Sequence, residues 1–273
     1  MNCIICGSQS DYYFSKTYAE HPYDQFMKDI GPVQYHKCRN CGFVISKTHV
    51  DLDSARWAKL NNECHHDFED PKSAKKCNQP PYAEQALMLL LLGKHGIIDV
   101  ENWIDFAAGY GTLSRFLEKY FQMHLPVFDP YVQHGEPTRY IREQDLGSYR
   151  TIINSAMFEH ILSRDHLDRV NRLVHTDGCL ILHTVVCETV PRDPDWFYLR
   201  PPVHTAFHTN KSMGILMDQW GYRCSIYCPK SKCWVLLKNK DSSVVDKLNA
   251  LNQEVQSDWF YFKDGFMDYW KGF

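Results

Sequence analysis

The sequence has no apolar run long enough to cross a lipid bilayer. Its longest run, residues 86–92, is far shorter than the ~20 residues that a membrane-spanning helix needs. The first residues, Met1 to Cys3, also lack the charged and apolar pattern of a signal peptide. We therefore expect a cytoplasmic protein without a membrane partner.

An excess of basic residues is also missing. The formal net charge is −3 at pH 7 and the isoelectric point is near 6.5, so the chain lacks the excess positive charge that binds a polyanion. This balance argues against a nucleic-acid partner. The sequence has no internal repeat or low-complexity segment either. Its 273 residues, 44% of them hydrophobic, predict one large globular domain with a small second one.

Cysteine, by contrast, is frequent, with 11 in the chain. In a protein expected in the reducing cytoplasm, cysteines indicate metal ligands or buried thiols rather than disulfides. Two C-x-x-C-G motifs contain the pairs Cys3 and Cys6, and Cys38 and Cys41. Two such pairs can bring four thiolates to the corners of a tetrahedron, which suits Zn²⁺. We predict a structural zinc site, and ordinary buried thiols are the alternative.

The segment ENWIDFAAGYGT, residues 101–112, predicts a strand that ends in a glycine-bearing turn and leads into a helix. Asp105 lies near the carboxyl end of this strand, and Gly109 and Gly111 follow it. Glycine lets the backbone approach a ligand closely, and nucleotide-like ligands bind at this edge of open α/β sheets. The turn is therefore the predicted cofactor site.

A second apolar strand, residues 125–128, ends at Asp129. A carboxylate about 20 residues after the glycine turn can accept hydrogen bonds from both ribose hydroxyls, and a turn-capping role before Pro130 is the alternative. Further strands are predicted at residues 43–46, 150–154, 179–186, 223–227 and 233–237, with helices at 51–62, 82–94, 164–174 and 212–220. This alternation predicts an α/β fold with a Rossmann-like doubly wound sheet closed by a hairpin.

The stretch DFAAGYG at residues 105–111, with Asp129 and the segment FEHI at residues 158–161, resembles class I S-adenosylmethionine-dependent methyltransferases. The resemblance implies a seven-stranded methyltransferase sheet over residues 82–240, whose last strand is antiparallel. A dinucleotide-binding Rossmann enzyme is the competing interpretation of a glycine turn alone. The Glu-His pair in the FEHI segment and the terminal hairpin favour the methyltransferase.

In that family the first motif reads acidic-x-Gly-x-Gly-x-Gly, and here Ala107 replaces the first glycine. The resemblance implies that Asp105 and the turn containing Ala107, Gly109 and Gly111 face the methionine part of S-adenosylmethionine. It also implies that Asp129 binds the ribose of this cofactor.

The cysteine segment is similar to the N-terminal zinc-binding region of bacterial sugar methyltransferases from polysaccharide and antibiotic pathways. The resemblance implies a zinc-binding module at residues 1–50, packed on the substrate side of the catalytic domain. A linker with a helix at residues 51–81 and a helical aromatic tail at residues 241–273 complete the predicted organisation. The implied acceptor is a small carbohydrate, either a nucleotide-linked sugar or a polysaccharide precursor, with or without a phosphate.

Glu159 and His160 follow the third predicted strand, so we expect them at its carboxyl edge beside the methyl group. Methyl transfer from a sulfonium needs an aligned acceptor and a base that removes its proton. His160 is the candidate base, because an unperturbed imidazole titrates near neutrality. The alternative is that His160 only stabilises a loop through hydrogen bonds.

His204 and His208 lie in a proline-flanked segment that we expect to cover the same edge. With Glu159 and His160 they are candidate ligands of a Mg²⁺ or Mn²⁺ ion that binds adjacent sugar hydroxyls, and His204 is also a candidate catalytic residue. The alternative is that one histidine hydrogen-bonds the substrate and the other packs in the core.

Three further segments carry weaker signals. Just before the proline-flanked segment, charged and aromatic residues are predicted to line an acceptor pocket or to form a solvated lid: Arg192, Asp193, Asp195, Trp196, Tyr198 and Arg200. A second metal site, or a solvated loop that borders the substrate, is predicted from Cys64, His65, His66 and Cys77. The aromatic end, residues 258–273, is expected to pack on the zinc module or across a homodimer interface.

Two other functions compete with sugar methylation. Some ribosomal-RNA base methyltransferases also carry an N-terminal cysteine zinc site, although the net acidity of this chain argues against RNA. A non-catalytic zinc-ribbon interaction protein is the other alternative, and Gly109, Gly111 and Asp129 argue against it.

Overall fold

Apolar segments and amphipathic segments alternate along the chain and form the strands and helices of two sheets. The computed structural model describes residues 1–69, 79–132 and 139–268, without the side chains of residues 66–69. The strands are β1 Ser10–Lys16, β2 Val33–Cys38, β3 Val44–Ser46, β4 Trp103–Phe106, β5 Val127–Phe128, β6 Tyr149–Ser155, β7 Val174–His183, β8 Val186–Cys187, β9 Ala206–Thr209, β10 Cys224–Cys228, β11 Cys233–Leu237 and β12 Tyr261–Asp264. The helices are α1 Tyr23–Met27, α2 Lys47–Val50, α3 Ser54–Glu69, α4 Tyr82–Lys94, α5 Thr112–Phe121, α6 Arg164–Leu173, α7 Asn210–Gln219 and α8 Val244–Glu254.

The larger sheet has seven strands in the order β12–β10–β11–β7–β6–β4–β5. The four strands β5, β4, β6 and β7 are parallel, whereas β11, β10 and β12 are antiparallel to their neighbours. The predicted doubly wound α/β sheet with an antiparallel terminal hairpin is therefore confirmed. In such a sheet the carboxyl ends of the parallel strands form one edge, where ligands bind.

Helices cover both faces of this sheet, which explains why its strands read as continuous apolar runs. Neighbouring strand residues point to opposite faces: Ile152 belongs to one hydrophobic cluster and Ile153 to the other. The cluster of Ile152 includes Leu167 of α6 and Leu216 of α7. The cluster of Ile153 includes residues of α4, α5 and α8. Helices therefore pack against the parallel strands on both faces of the sheet.

The smaller sheet joins the N-terminal segment to a distant part of the chain. Its order is β1–β2–β3–β9–β8, so the last two strands come from the insert between β7 and α7. β3 pairs antiparallel with β9, and β9 pairs in parallel with β8. The sequence predicted a strand at residues 43–46 but not these partners. The cysteine-bearing segment and the insert therefore share one sheet and one apolar core.

The aromatic end of the chain packs on the larger sheet. β12 pairs with β10 as the edge strand, and Phe266 stacks on Trp234 with ring centroids 5.5 Å apart. The Trp234 indole N–H also donates to the Met267 carbonyl over 2.8 Å. This placement corrects the expectation that the end packs on the zinc module, for the described residues 258–268. Within the described ranges, no helix has the length and apolar character needed to cross a membrane.

Candidate active site

The turn between β4 and α5 has the backbone shape that the glycine pattern predicts. Gly109 and Gly111 have φ values of 53° and 67°, and Ala107 has a φ of 60°. These values lie in the left-handed region, which glycine enters without cost and other residues do not. Ala107 therefore adopts the conformation of the glycine it replaces, at a cost of about 1–2 kcal/mol.

Asp129, at the carboxyl end of β5, holds this turn in place. Its carboxylate accepts a hydrogen bond from the Gly109 N–H over 2.8 Å, and the other oxygen accepts from Tyr131 N and Val132 N over 2.8 and 2.9 Å. The Tyr140 hydroxyl donates to the Gly109 carbonyl over 2.7 Å. Asp129 thus has the turn-capping role that was the alternative, and its binding of a ribose stays a prediction.

Asp105 lies behind the turn and is almost completely buried, with 2% of its surface exposed. Its Oδ1 atom is buried without a hydrogen-bond partner. Burial, and then the charge of Asp129, raise the pKa of Asp105 to about 8. A cationic ligand beside this pair of carboxyls would stabilise their ionised forms. The arrangement therefore suits a ligand that carries positive charge.

Two cavities open at this edge of the larger sheet and meet. The smaller, of about 320 Å³, contains the turn with Asp105, Ala107, Gly109 and Asp129. The larger, of about 1050 Å³, extends under the insert. Both are lined by the same four residues, which we call the junction: His65, Tyr82, Ala156 and His160. A group that passes from one bound molecule to the other would pass here.

His65 was predicted as part of a second metal site or of a solvated loop that borders the substrate, and not as a residue beside His160. α3 runs to Glu69, beyond the predicted end at residue 62, and this extension carries His65 to the junction. The His65 and His160 rings lie 5.0 Å apart, centroid to centroid. Cys77 and the His66 side chain lie outside the described residues, so the predicted second site that includes them stays a prediction.

Glu159 follows β6 in a single helical turn, Phe158–His160, and its carboxylate points into the larger cavity. The Tyr198 hydroxyl donates to Glu159 Oε1 over 2.7 Å, and the Thr184 hydroxyl donates to Oε2 over 3.0 Å. The carboxylate is 2% exposed and is oriented by these neutral donors. It is therefore a fixed hydrogen-bond acceptor that can serve as an oxygen ligand.

Two imidazoles lie beside this carboxylate. The rings of His160 and His204 are 4.9 Å apart, and burial, followed by the charge of His204, holds the pKa of His160 well below its usual range. His204 Nδ1 lies 2.6 Å from the Tyr198 carbonyl and donates to it, so the lone pair of neutral His204 is on Nε2. Donor atoms of Glu159, His160 and His204 all lie within 4.8 Å of one another.

Comparison with known proteins decides the family. A model of the methyltransferase domain family matches residues 48–225, more than half of the chain. The chain belongs to this methyltransferase family. It is an S-adenosylmethionine-dependent methyltransferase, as the resemblance implied. No curated protein sequence matches it.

Several solved structures are similar to this methyltransferase at low identity. The plantazolicin methyltransferase BpumL in complex with SAH is 9% identical, with a TM-score of 0.44 over 75% of this chain and 95% of that chain. A putative O-methyltransferase from Nostoc punctiforme is 12% identical, with a TM-score of 0.37 over 57% of this chain and 60% of that one. A SAM-dependent methyltransferase from Aquifex aeolicus is 12% identical, with a TM-score of 0.35 over 68% and 97%.

His208 of this methyltransferase lies away from the Glu159 group, which corrects its predicted place among the metal ligands. It belongs to β9, and its ring packs between Phe43 and Phe158 with centroids 4.9 and 5.6 Å away. Its Nε2 atom lies 3.3 Å from the Phe158 carbonyl, and burial lowers the pKa of His208 to about 4. Of the two insert histidines, His204 reaches the site and His208 packs in the core.

The predicted acceptor wall is present in part. Trp196, Tyr198 and Arg200 line the larger cavity of the methyltransferase. Arg192 instead donates to the Tyr13 carbonyl of β1 over 2.8 Å. Asp193 does not line the cavity. Its side chain caps the local turn by accepting a hydrogen bond from the Asp195 N–H. The aromatic residues of the prediction thus reach the cavity, and the acidic ones do not.

The four N-terminal cysteines lie together, as their spacing predicts. Cys3 and Cys41 have their sulfur atoms 3.6 Å apart, and those of Cys6 and Cys38 are 3.5 Å apart. Tetrahedral Zn²⁺ with bonds of about 2.3 Å would hold thiolates about 3.8 Å apart. Backbone N–H groups also point at sulfur, from Ile5 to Cys3 over 3.4 Å. The cluster therefore has the size and donors of a closed zinc site.

Proposed function

We propose that this methyltransferase methylates a hydroxyl oxygen of a small carbohydrate-type acceptor, such as a nucleotide-linked sugar or a polysaccharide precursor. The observation that carries the proposal is the junction between two cavities. The smaller contains the glycine turn, and the larger has the volume for a sugar with a further substituent. Aromatic, hydroxyl and carboxylate groups of the larger cavity suit a polar ring.

The smaller cavity would hold S-adenosylmethionine. Gly109 lines this cavity and leaves room for close backbone approach, whereas Gly111 lies outside the lining and shapes the turn with its φ of 67°. Asp129 would bind the ribose. The unpartnered Oδ1 of Asp105 fits a site that receives a cationic methionine group. When bound, the cofactor supplies a methyl group on an already activated sulfonium. The protein therefore has to align the acceptor and to remove its proton.

His160 is the proposed base, because it lines both cavities and thus lies beside the transfer path. Its lowered pKa keeps the ring neutral, with a lone pair that can take the acceptor proton. The Glu159 carboxylate, within 4.8 Å, would stabilise the imidazolium that forms. His204 would orient the acceptor hydroxyl through Nε2. His160 would take the proton of the acceptor oxygen when that oxygen is methylated.

A divalent cation at Glu159, His160 and His204 is the second proposal for the same site. Their donor atoms are close enough to share an ion. The Nδ1–H of His204 donates to a backbone carbonyl, which is the usual orientation of a metal-binding histidine. Mn²⁺ suits two imidazoles and a carboxylate better than Mg²⁺ does. The ion would bind adjacent acceptor hydroxyls and make one of them easier to deprotonate.

We also propose that Cys3, Cys6, Cys38 and Cys41 bind a structural Zn²⁺ ion. All four ligand positions are supplied by the protein, so this site would contribute folding free energy and no open position for substrate.

The test of the acceptor proposal uses the wild-type protein, labelled S-adenosylmethionine and a panel of nucleotide-linked sugars, phosphorylated sugars, peptides and RNA. We expect a mass increase of one methyl group on a sugar. Methylation of peptide or RNA alone would overturn the carbohydrate proposal.

The test of the base uses His160→Ala, with His124→Ala as an exposed control. Loss of a general base lowers turnover by about 10²- to 10⁴-fold, and affinity for S-adenosylhomocysteine should stay within about twofold. Unchanged turnover would remove His160 from the mechanism. Chelation followed by addition of Mn²⁺ or Mg²⁺ separates the two proposals: recovery with either ion supports the metal, and full activity without one supports the base.

A further inference from the structure

One end of the larger cavity lies where β7 ends next to the turn between β10 and β11. His183, the last residue of β7, pairs with Cys233, the first residue of β11. Lys232 directly precedes Cys233, and both His183 and Lys232 line the cavity. The register of the two strands thus places an imidazole and an ammonium group together at this end.

His183 has an unused polar atom. Its Nδ1 is buried without a hydrogen-bond partner, which is costly unless a ligand satisfies it. Burial, and then the charge of Lys232, lower the pKa of His183 to about 4. The ring is therefore neutral near pH 7 and can donate one N–H to a ligand oxygen. His183 itself belongs to the lining of the cavity.

Lys232 supplies positive charge at the same end. Its φ of 54° marks a left-handed turn residue, and its side chain makes no ion pair or hydrogen bond within the described part of the chain. Two carboxylates of the cavity accept hydrogen bonds from other side chains: Glu159 from Tyr198 and Thr184, and Glu188 from Asn210 over 3.0 Å. Within the described residues, neither of these carboxylates forms an ion pair with the ammonium group, which can therefore pair with a ligand anion.

We propose that His183 and Lys232 form a subsite for an anionic oxygen group of the acceptor, either a carboxylate or a phosphate. This inference rests on the proposed role of the larger cavity as the acceptor site. An anion would satisfy the imidazole N–H and pair with the ammonium, and a charge-assisted hydrogen bond is the stronger kind. A neutral or cationic group would leave one of the two unsatisfied.

The subsite lies close to the point of transfer. The N–H of Ala156, a junction residue, donates to the His183 carbonyl over 3.0 Å. β6 and β7 are neighbours, so the ends that carry Ala156 and His183 are adjacent. The anionic group is therefore on the part of the acceptor next to the methylated hydroxyl, and the preferred acceptors are acidic sugars or sugar phosphates.

The experiment is an NMR titration of the full-length protein, labelled with ¹⁵N-histidine and saturated with S-adenosylhomocysteine. Inorganic phosphate and acetate are the probes, and His183→Gln assigns the His183 signals. We expect a saturable shift of the His183 ring nitrogens with at least one probe. A response to phosphate alone identifies a phosphate subsite, and a response to acetate alone identifies a carboxylate subsite.

Variants in the turn between β10 and β11 test the role of Lys232 and supply its control. Lys232→Ala should weaken the binding of the probe at least about tenfold, and Lys232→Arg should retain it. Lys230→Ala is the matched control, because Lys230 is exposed in the same turn but does not line the cavity. No saturable shift with either probe, or an equal shift in Lys232→Ala, would overturn the proposal. The readout involves no methyl transfer, so failure of the sugar assay is a separate result.

Discussion

The backbone N–H of Thr205 donates a hydrogen bond of 2.7 Å to the carbonyl of Glu159. The Thr205 carbonyl in turn accepts from the N–H of Ser46, also over 2.7 Å. Ser46 ends β3, the strand that leaves the second cysteine pair, and the Thr209 hydroxyl donates to the Cys41 carbonyl over 2.5 Å. The cysteine cluster and the backbone of Glu159 are therefore connected through β9 and Thr205, the residue that precedes it.

This connection predicts that the zinc site supports the acceptor cavity. Cys38→Ser should lower bound zinc from about one ion per chain to near zero. The melting temperature should fall, and turnover should decrease because β3 no longer fixes the segment that holds Glu159. Elemental analysis, thermal unfolding and the methylation assay give the three readings.

Cys224→Ala is the control for this variant, because Cys224 is a buried thiol of β10 outside the cluster. It should retain the zinc. A wild-type protein that contains no zinc after purification without chelators would contradict the zinc proposal.

Asp129→Ala should weaken S-adenosylmethionine binding by about tenfold to a hundredfold, the range expected for lost hydrogen bonds to a charged group. The carboxylate would bind the ribose, and it also fixes the Gly109 N–H. Calorimetric titration measures the affinity, and Asp218→Ala, an exposed change in α7, is the control. Near-normal affinity of Asp129→Ala would be inconsistent with a cofactor site at this turn.

Ala107→Gly should raise the free energy of unfolding by up to about 1 kcal/mol, because it relieves a left-handed alanine with a φ of 60°. Ala108→Gly is the neighbouring control, at a position without a positive φ, and should destabilise the protein. Urea denaturation measures both. The account of this turn fails if Ala107→Gly is the more destabilising of the two.

The stability of the cofactor-free protein should depend on pH through Asp105. Its pKa is raised from 3.8 to about 8, so between these values the folded state holds a proton that the unfolded chain releases. The free energy of unfolding therefore falls as the pH rises through this window. Asp105→Asn removes this contribution, so its stability relative to wild type should increase from about pH 4 to about pH 8. A pH-independent difference would show that Asp105 is ionised in both states.

The sequence predicted the larger sheet well because its strands are buried on both faces. Trp103–Phe106 forms the strand expected there, and Tyr82–Lys94 forms the expected helix. Both signals are local: an apolar run bounded by a turn, and an apolar stripe with helical spacing. The glycine turn is equally local, since its shape depends on the residues of one short segment.

The smaller sheet and part of the site depend on contacts between distant segments. The pairing of Val44 with Phe207 leaves no periodic signal in either short strand. The sequence gives no local signal that distinguishes His204 from His208. His204 precedes β9 and lies near Glu159, whereas His208 lies within β9 and packs in the core. His65 was missed as a junction residue because an extended α3, rather than a motif, brings it to His160.

The central claim is that methyl transfer occurs at the junction of the two cavities. A crystal structure with S-adenosylhomocysteine tests it most directly. We predict that the ribose lies at Asp129 and that the sulfur atom faces the opening bounded by His65, Tyr82, Ala156 and His160. A sulfur atom turned away from this opening, or the nucleoside bound in the larger cavity, would contradict the claim.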